Sequence, residues 1–178
     1  MIITDIQKLK IQSEDVKEDE ANSLINELQL ALDLSAKNGT PGIGLSAPQI
    51  GINKKAAIVR IDNMKIDLIN SNITEQFDKM VSVEGCLSLP GQTCKVERYN
   101  QVVINNMFAT HKRLCAYGLV SVCVQHEMDH WDGILMTDRE IKNVINIGPN
   151  QPCPCGKVDI KTGKHKKYKK CCGRKQNG

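Results

Sequence analysis

Residues 119–133 read LVSVCVQHEMDHWDG, an apolar run that passes without a break into two histidines four positions apart. Taken as one helix from about Ala116 to Trp131, the run sets Leu119, Val122, Cys123, His126 and His130 on one face, because residues three and four apart share a side of a helix. Two imidazoles one turn apart can chelate a single cation, and Glu127 beside the first is placed to handle a proton of water at that cation. Two histidines are only half of such a site. No other His follows before His165, and Glu140 could serve only in an unusual geometry, so a further ligand is expected upstream.

Upstream, EGCLSLP (84–90) offers one. A cysteine turned out between Gly85 and Leu87 presents a thiolate, and a soft sulfur with two imidazoles suits iron, zinc, nickel or cobalt. Cys94, Cys115 and Cys123 read instead as small buried hydrophobes. GIGLSAPQIG (42–51) specifies a backbone that something can approach closely, and Gln49 brings an uncharged amide donor. A phosphate loop is excluded there because no Lys follows at the required position.

Around these motifs, Ala21, Leu24, Ile25, Leu28, Ala31 and Leu32 keep helical spacing, and KNGTPG supplies the stop. AAIVRI (56–61), KIDLINS (65–71) and NQVVINNM (100–107) are short, β-branched and separated by turn residues, as strands are. The order of helix, strands and then a buried helix makes the expected fold class α+β, with a small zinc-binding tail after it.

At 178 residues the chain can bury one core and carry a small appendage. No apolar run of the roughly 18 residues needed to span a bilayer occurs, and the first 20 residues are polar and acidic. A cytoplasmic protein without membrane insertion is expected, its eight cysteines serving as metal ligands and buried thiols. The net charge of +4 hides an asymmetry: residues 151–178 hold nine Lys or Arg and only Asp159 as an acid, whereas residues 1–150 hold 15 basic and 19 acidic side chains. The sign changes at a Gly-Pro-Asn-Gln-Pro segment. The expected organisation is a catalytic domain over 1–147, a linker over 148–152 and a zinc-binding module over 153–174.

GIGLSAPQ, EGCLSLP and QHEMDH, in that order, resemble the three signature motifs of the peptide deformylases, metallohydrolases that remove the N-formyl group from nascent polypeptides. The resemblance implies antiparallel strands packed around the metal-binding helix and a metal held by Cys86, His126 and His130, which leaves a fourth position for water. It gives Glu127 the role of general base, and the Gln49 side chain with the Leu87 backbone N–H the role of oxyanion donors. It sets the methionine side chain of a formylmethionyl peptide among Ile43, Leu119, Val122 and Cys123, with the peptide backbone running past Ile43, Gly44 and Gly85. Fe2+ is the first choice of metal, with Zn2+, Ni2+ or Co2+ as alternatives. Some positions depart from the family pattern: Ser46 stands for a commoner Ala, Trp131 for a smaller apolar residue, and Thr93 for a basic one.

The tail, CPCGKVDIKTGKHKKYKKCCG, carries Cys153, Cys155, Cys171 and Cys172 as two close pairs. Four thiolates can close tetrahedrally on Zn2+ and fold a segment that has almost no apolar core of its own. The segment resembles the SEC-C motif, the zinc-binding tail of the SecA translocase motor, with a longer insert between the pairs; His165 is an alternative ligand. Its concentrated positive charge suggests a ribosome as partner. The expectation is a monomeric, metal-dependent deformylase of N-formylmethionyl nascent peptides. The competing readings are a non-catalytic deformylase-like protein that binds the ribosome or a translocation factor, and a zinc endopeptidase.

Overall fold

The structure is a computed structural model, and it describes residues 1–141, 149–153, 159 and 162–171. The chain divides into two units, Met1–Ile141 and Lys142–Gly178.

The first unit opens with one helical turn, Ile6–Leu9 (α1), capped by the Asp5 carboxylate, which accepts from the backbone N–H of Gln7 at 3.0 Å. Glu18–Lys37 (α2) follows. Its first turn is Glu18, Asp19 and Glu20, acids that complement the positive end of the helix dipole, and Glu20 reaches back to accept from the Lys17 N–H at 3.1 Å. The helix stops at Asn38, and Gly39 at φ +83° turns the chain in a backbone conformation that side chains disfavour. Of the stripe read from the sequence, Ala21, Leu24, Ile25, Leu28 and Leu32 are buried, and Ala31 is half-buried against the same core.

Gly44–Ser46 (β1), Ala56–Ile61 (β2) and Met64–Ile69 (β3) form an antiparallel sheet in that order. Its middle strand explains its own sequence. Ala56 and Ile58 join the core under α2, whereas Ala57 and Val59 join the core on the other face, so AAIVRI needs apolar residues at successive positions. A second antiparallel sheet holds Asn72–Cys86 (β4), Leu89–Asn105 (β5) and Arg113–Tyr117 (β6) in order. Asn106 ties the sheets together: its Oδ1 accepts from the Ile69 N–H and the Ser71 hydroxyl at 2.9 and 2.8 Å, and its Nδ2 donates to the Asp67 carbonyl at 2.7 Å.

Gly118–Asp129 (α3) packs against both sheets. It starts two residues later than the apolar run suggests. Ala116 belongs to β6, opposite Val102, and Gly118 at φ +55° turns the strand into the helix. The α-helix also ends earlier, since His130 and Trp131 lie in the 3-10 turn His130–Asp132. Cys123, Val124 and Trp131 close a core with Val59, Leu68, Val102 and Ile104, drawn from both sheets.

In the second unit, Pro152 and Lys167 form an antiparallel bridge, flanked by the Cys153 N–H donating to the Lys166 carbonyl and the Tyr168 N–H to the Gln151 carbonyl, both at 2.8 Å. Tyr168–Lys170 makes a single 3-10 turn. Cys153 is buried and Cys171 half-buried, while Cys155 and Cys172 of the expected zinc quartet lie outside the described residues. Among the described residues no helix is long and apolar enough to cross a membrane.

Candidate metal centre and active site

Two neighbouring elements bring three candidate metal ligands to one point. The β4–β5 hairpin closes over Leu87 and Ser88, with Cys86 paired to Leu89, and this turn presents the Cys86 thiol. His126 comes from the last turn of α3 and His130 from the 3-10 turn that continues it. The Cys86 Sγ lies 3.5 Å from His130 Nε2, and one donor atom from each of the three residues falls within 4.8 Å of the others. Among the described residues this is the one Cys/His/acid group arranged to hold an ion.

Behind the ligands runs a line of buried charges. His126 Nδ1 meets Glu84 Oε2 at 2.9 Å, which leaves the other ring nitrogen for a cation. Arg98 grips Glu84 with two parallel hydrogen bonds, Nε to Oε1 at 2.8 Å and Nη2 to Oε2 at 2.9 Å, and reaches Asp129 through Nη1 at 2.6 Å. Arg139, exposed at the surface end of this line, holds the same Asp129 with two bonds of 2.6 Å. The Ser82 hydroxyl donates to Glu84 at 2.6 Å. Burial alone would raise the Glu84 pKa, but the hydrogen bonds from Arg98, His126 and Ser82 hold it near 2.

The histidines are tuned apart. Burial disfavours a charged His126, yet its hydrogen bonds to Cys86 and Glu84 win and lift its pKa to about 10. Burial, with His126 and Arg98 nearby, drives His130 down to about 3. The donor chemistry therefore fits a divalent cation: the anions that make His126 hold a proton are those that favour a metal there, and His130 is already neutral.

Glu127 is buried beside them, and burial pushes its pKa up to about 7 against the opposing field of His126. Its Oε1 lies 4.0 Å from Cys123 Sγ, and its Oε2 has no hydrogen-bond partner among the described residues. Gly44 packs so closely that a Cβ there would run into both Glu127 Oε1 and Cys123 Sγ. Gln49 is fixed by the Ser46 N–H, which donates to its Oε1 at 2.8 Å, so its Nε2 points to Cys86 Sγ and Ser88 Oγ, each at 3.3 Å.

These groups line a cavity of about 590 Å3. Of the body residues singled out from the sequence, Ile43, Gly44, Gln49, Gly85, Cys86, Leu87, Leu119, Val122, Cys123, His126 and Glu127 line it, and His130 lies behind, touching Cys86. Cys123 is at once a core residue and a wall of the cavity. Glu140 pairs as a bridge with Val96 and is absent from the ligand group. Sequence reasoning passed over Glu84, Arg98, Asp129 and Arg139. The available signal was the acid inside two of the quoted motifs, Glu84 in EGCLSLP and Asp129 in QHEMDH, since a metal-binding histidine needs a partner for its second nitrogen.

A family model described as polypeptide deformylase matches residues 2–144. The peptide deformylase of Thermodesulfovibrio yellowstonii is 35% identical over 148 residues, covering 78% of this chain and 90% of that protein. That of Caldicellulosiruptor bescii is 44% identical over 105 residues, covering 58% of this chain, and the match spans 63% of its length. Among solved structures, a peptide deformylase from Synechococcus elongatus in complex with actinonin superposes with a TM-score of 0.70 at 32% identity, over 80% of this chain and 79% of that one. One from Legionella pneumophila gives 0.70 at 29%, over 80% and 86%. Because the model match runs through all three motifs and solved members share the arrangement of helices and antiparallel sheets, the chain belongs to the polypeptide deformylase family.

Proposed function

We propose that this chain hydrolyses the N-formyl group from the formylmethionine that begins nascent polypeptides, releasing formate and a free amino terminus. The observation that carries the proposal is the convergence of Cys86, His126 and His130 beside a buried carboxylate, Glu127, in one cavity. The chemistry supplied by a divalent cation held there is Lewis-acid activation of water. Glu127 takes the proton of the attacking water and gives it to the departing amine, which balances the cleavage of one C–N bond by one water. Gln49 Nε2 and the Leu87 N–H donate to the oxygen of the formyl group as it gains charge. Ile43, Leu119, Val122 and Cys123 receive the methionine side chain, while the backbone at Gly44 and Gly85 aligns the peptide. The family resemblance favours Fe2+ as the metal, and thiolate and imidazole ligands equally admit Zn2+, Ni2+ and Co2+.

Formate release from a formyl-Met peptide, before and after metal chelation, tests this directly. Glu127→Gln is expected to retain the metal and lose at least ~10²-fold in turnover, the low end for a general base. Turnover unchanged at normal metal content removes Glu127 from the mechanism. A protein that binds metal but releases no formate is the non-catalytic alternative.

For the tail we infer a zinc module over residues 153–174, joined by a linker at 148–152, that docks a monomeric, cytoplasmic enzyme on the ribosome. The four cysteines and the nine basic residues support it. Cys171→Ser with Cys172→Ser should release one zinc and weaken ribosome binding at unchanged charge. Binding should also fall steeply with salt, through counterion release. Equal binding by a chain lacking residues 151–178 would point to no ribosomal role.

A further inference from the structure

The chain has one Trp, three Tyr and two Phe, and one Phe with two of the tyrosines share the outer face of the second sheet. Phe77 in β4, Gln101 in β5 and Tyr117 in β6 are paired directly across the sheet, so the three form one row. Val102 and Ala116, their neighbours along β5 and β6, point the other way into the core. Phe77 is 43% and Tyr117 57% exposed. Tyr99, half-buried, stands two residues from Gln101 on the same side of β5. With strands ~4.8 Å apart, Phe77 and Tyr117 are anchored about 10 Å from each other. Tyr99 is diagonal to both, at about 7–8 Å. Aromatic rings bury more area than other apolar side chains, so a chain poor in them has most to gain by hiding each one. A group of them left facing water marks a surface with a partner.

We propose that Phe77, Tyr99 and Tyr117 form a stacking platform for single-stranded nucleic acid. Charge points to this partner. By the same register Lys79, Lys95 and Arg113 face outward with Glu75 and Glu97, a basic balance on a body that holds 15 basic and 19 acidic side chains. Lys79 pairs with Glu97 at 2.7 Å and Arg113 with Glu75 at 2.9 Å, both pairs at the surface. Exposed pairs are worth little, so a phosphate can take the place of either carboxylate. The Lys79 ammonium lies 5.7 Å from the centroid of the Tyr99 ring, which therefore presents a π-face to the surface. Rings spread over neighbouring strands of an antiparallel sheet hold splayed bases one apiece, and every base has a face to stack. Gln101, between the rings, brings an amide that can donate to or accept from a base edge. Neither Phe77 nor Tyr117 lines the active-site cavity, so the platform is separate from the metal centre.

The test is fluorescence anisotropy of labelled oligouridine and oligothymidine of about ten nucleotides on the intact metal-loaded protein. Salt of about 0.5 M screens attraction to the basic tail, which all variants share. Phe77→Leu and Tyr117→Leu keep apolar bulk and remove the π-face; each should weaken binding by about fivefold or more, the low end for stacking on one ring. Phe77→Tyr and Tyr117→Phe should bind as the parent does. Far-UV circular dichroism and formate release from a formyl-Met peptide should be parental in all four. Lys79→Gln with Arg113→Gln should lower the log–log salt slope by about 1.4, roughly 0.7 for each phosphate no longer contacted. A tighter uridine strand identifies RNA as the source and a tighter thymidine strand DNA, and both bear the platform out. No binding at about 0.5 M salt, or binding that the leucine variants retain in full, would overturn the proposal. So would a dimer in sedimentation of the parent that Phe77→Leu disperses, since the face would then cover a second copy of the chain.

Discussion

Glu84 Oε2 and His126 Nδ1 lie 2.9 Å apart although 42 residues separate them in sequence. The contact fixes which imidazole nitrogen faces the ligand cluster, and Arg98 in turn fixes Glu84. Glu84→Gln keeps the shape and removes the charge. Cation affinity is expected to fall by roughly 10- to 100-fold, as for other partners of metal-binding histidines. Arg98 and Glu84 are both almost fully buried, so half of a buried ion pair is also lost, at about 3–5 kcal/mol of stability. A chelator competition and a urea titration measure the two effects separately; unchanged metal affinity would show that Glu84 is only structural.

Gly44 and Gly39 make a matched pair. At Gly44 an added methyl collides with the Glu127 carboxylate and the Cys123 sulfur, whereas at Gly39 it meets open space. Gly44→Ala should therefore displace the base and lower formate release by at least ~10²-fold, with the far-UV circular dichroism retained. Gly39→Ala carries only the strain of its left-handed backbone, about 1 kcal/mol, with normal turnover. Similar turnover in both variants would separate Gly44 from the placement of Glu127.

Ser46 and Trp131, two of the departures from the family pattern, converge on one acceptor. The Ser46 hydroxyl and the Trp131 Nε1 donate to the Ala56 carbonyl at 3.4 and 3.2 Å. Ser46→Ala should cost about 1 kcal/mol and Trp131→Phe more, because the smaller ring also leaves a cavity in the core, and the double variant should depart from their sum because the two donors share one oxygen. Strict additivity in a denaturation cycle would count against the shared acceptor.

The motifs, the helical face of α2 and the apolar strand β2 were legible in the sequence because each follows a simple period or a fixed spacing. What escaped has a physical cause in each case. Asn72–Cys86 carries exposed side chains along most of its length and its alternation breaks at Asp78, so it lacks the one-sided pattern by which a strand is read. Residues 116–118 continue an apolar run, and only the positive φ of Gly118 divides strand from helix. Arg98 looks like any surface charge until Glu84 and Asp129, distant in sequence, are seen to enclose it. Long-range electrostatic partners leave no periodic trace.

The candidate ligands span a loop. From Cys86 to His126 the chain runs through 40 residues, all of β5 and β6, before it returns. A cation held there as proposed would join the hairpin turn to the helix as a reversible cross-link, comparable in topology to a disulfide over the same stretch. For loops of such size the restriction of the unfolded chain is worth roughly 3–5 kcal/mol in the chain-entropy picture. The candidate ligands converge across β5 and β6, so a cation bound there is expected to stabilise the closed second sheet. Hydrogen exchange with and without metal would register this as slower opening throughout β5, β6 and α3, and a slowing confined to the three ligands would deny the cross-link any reach beyond the site.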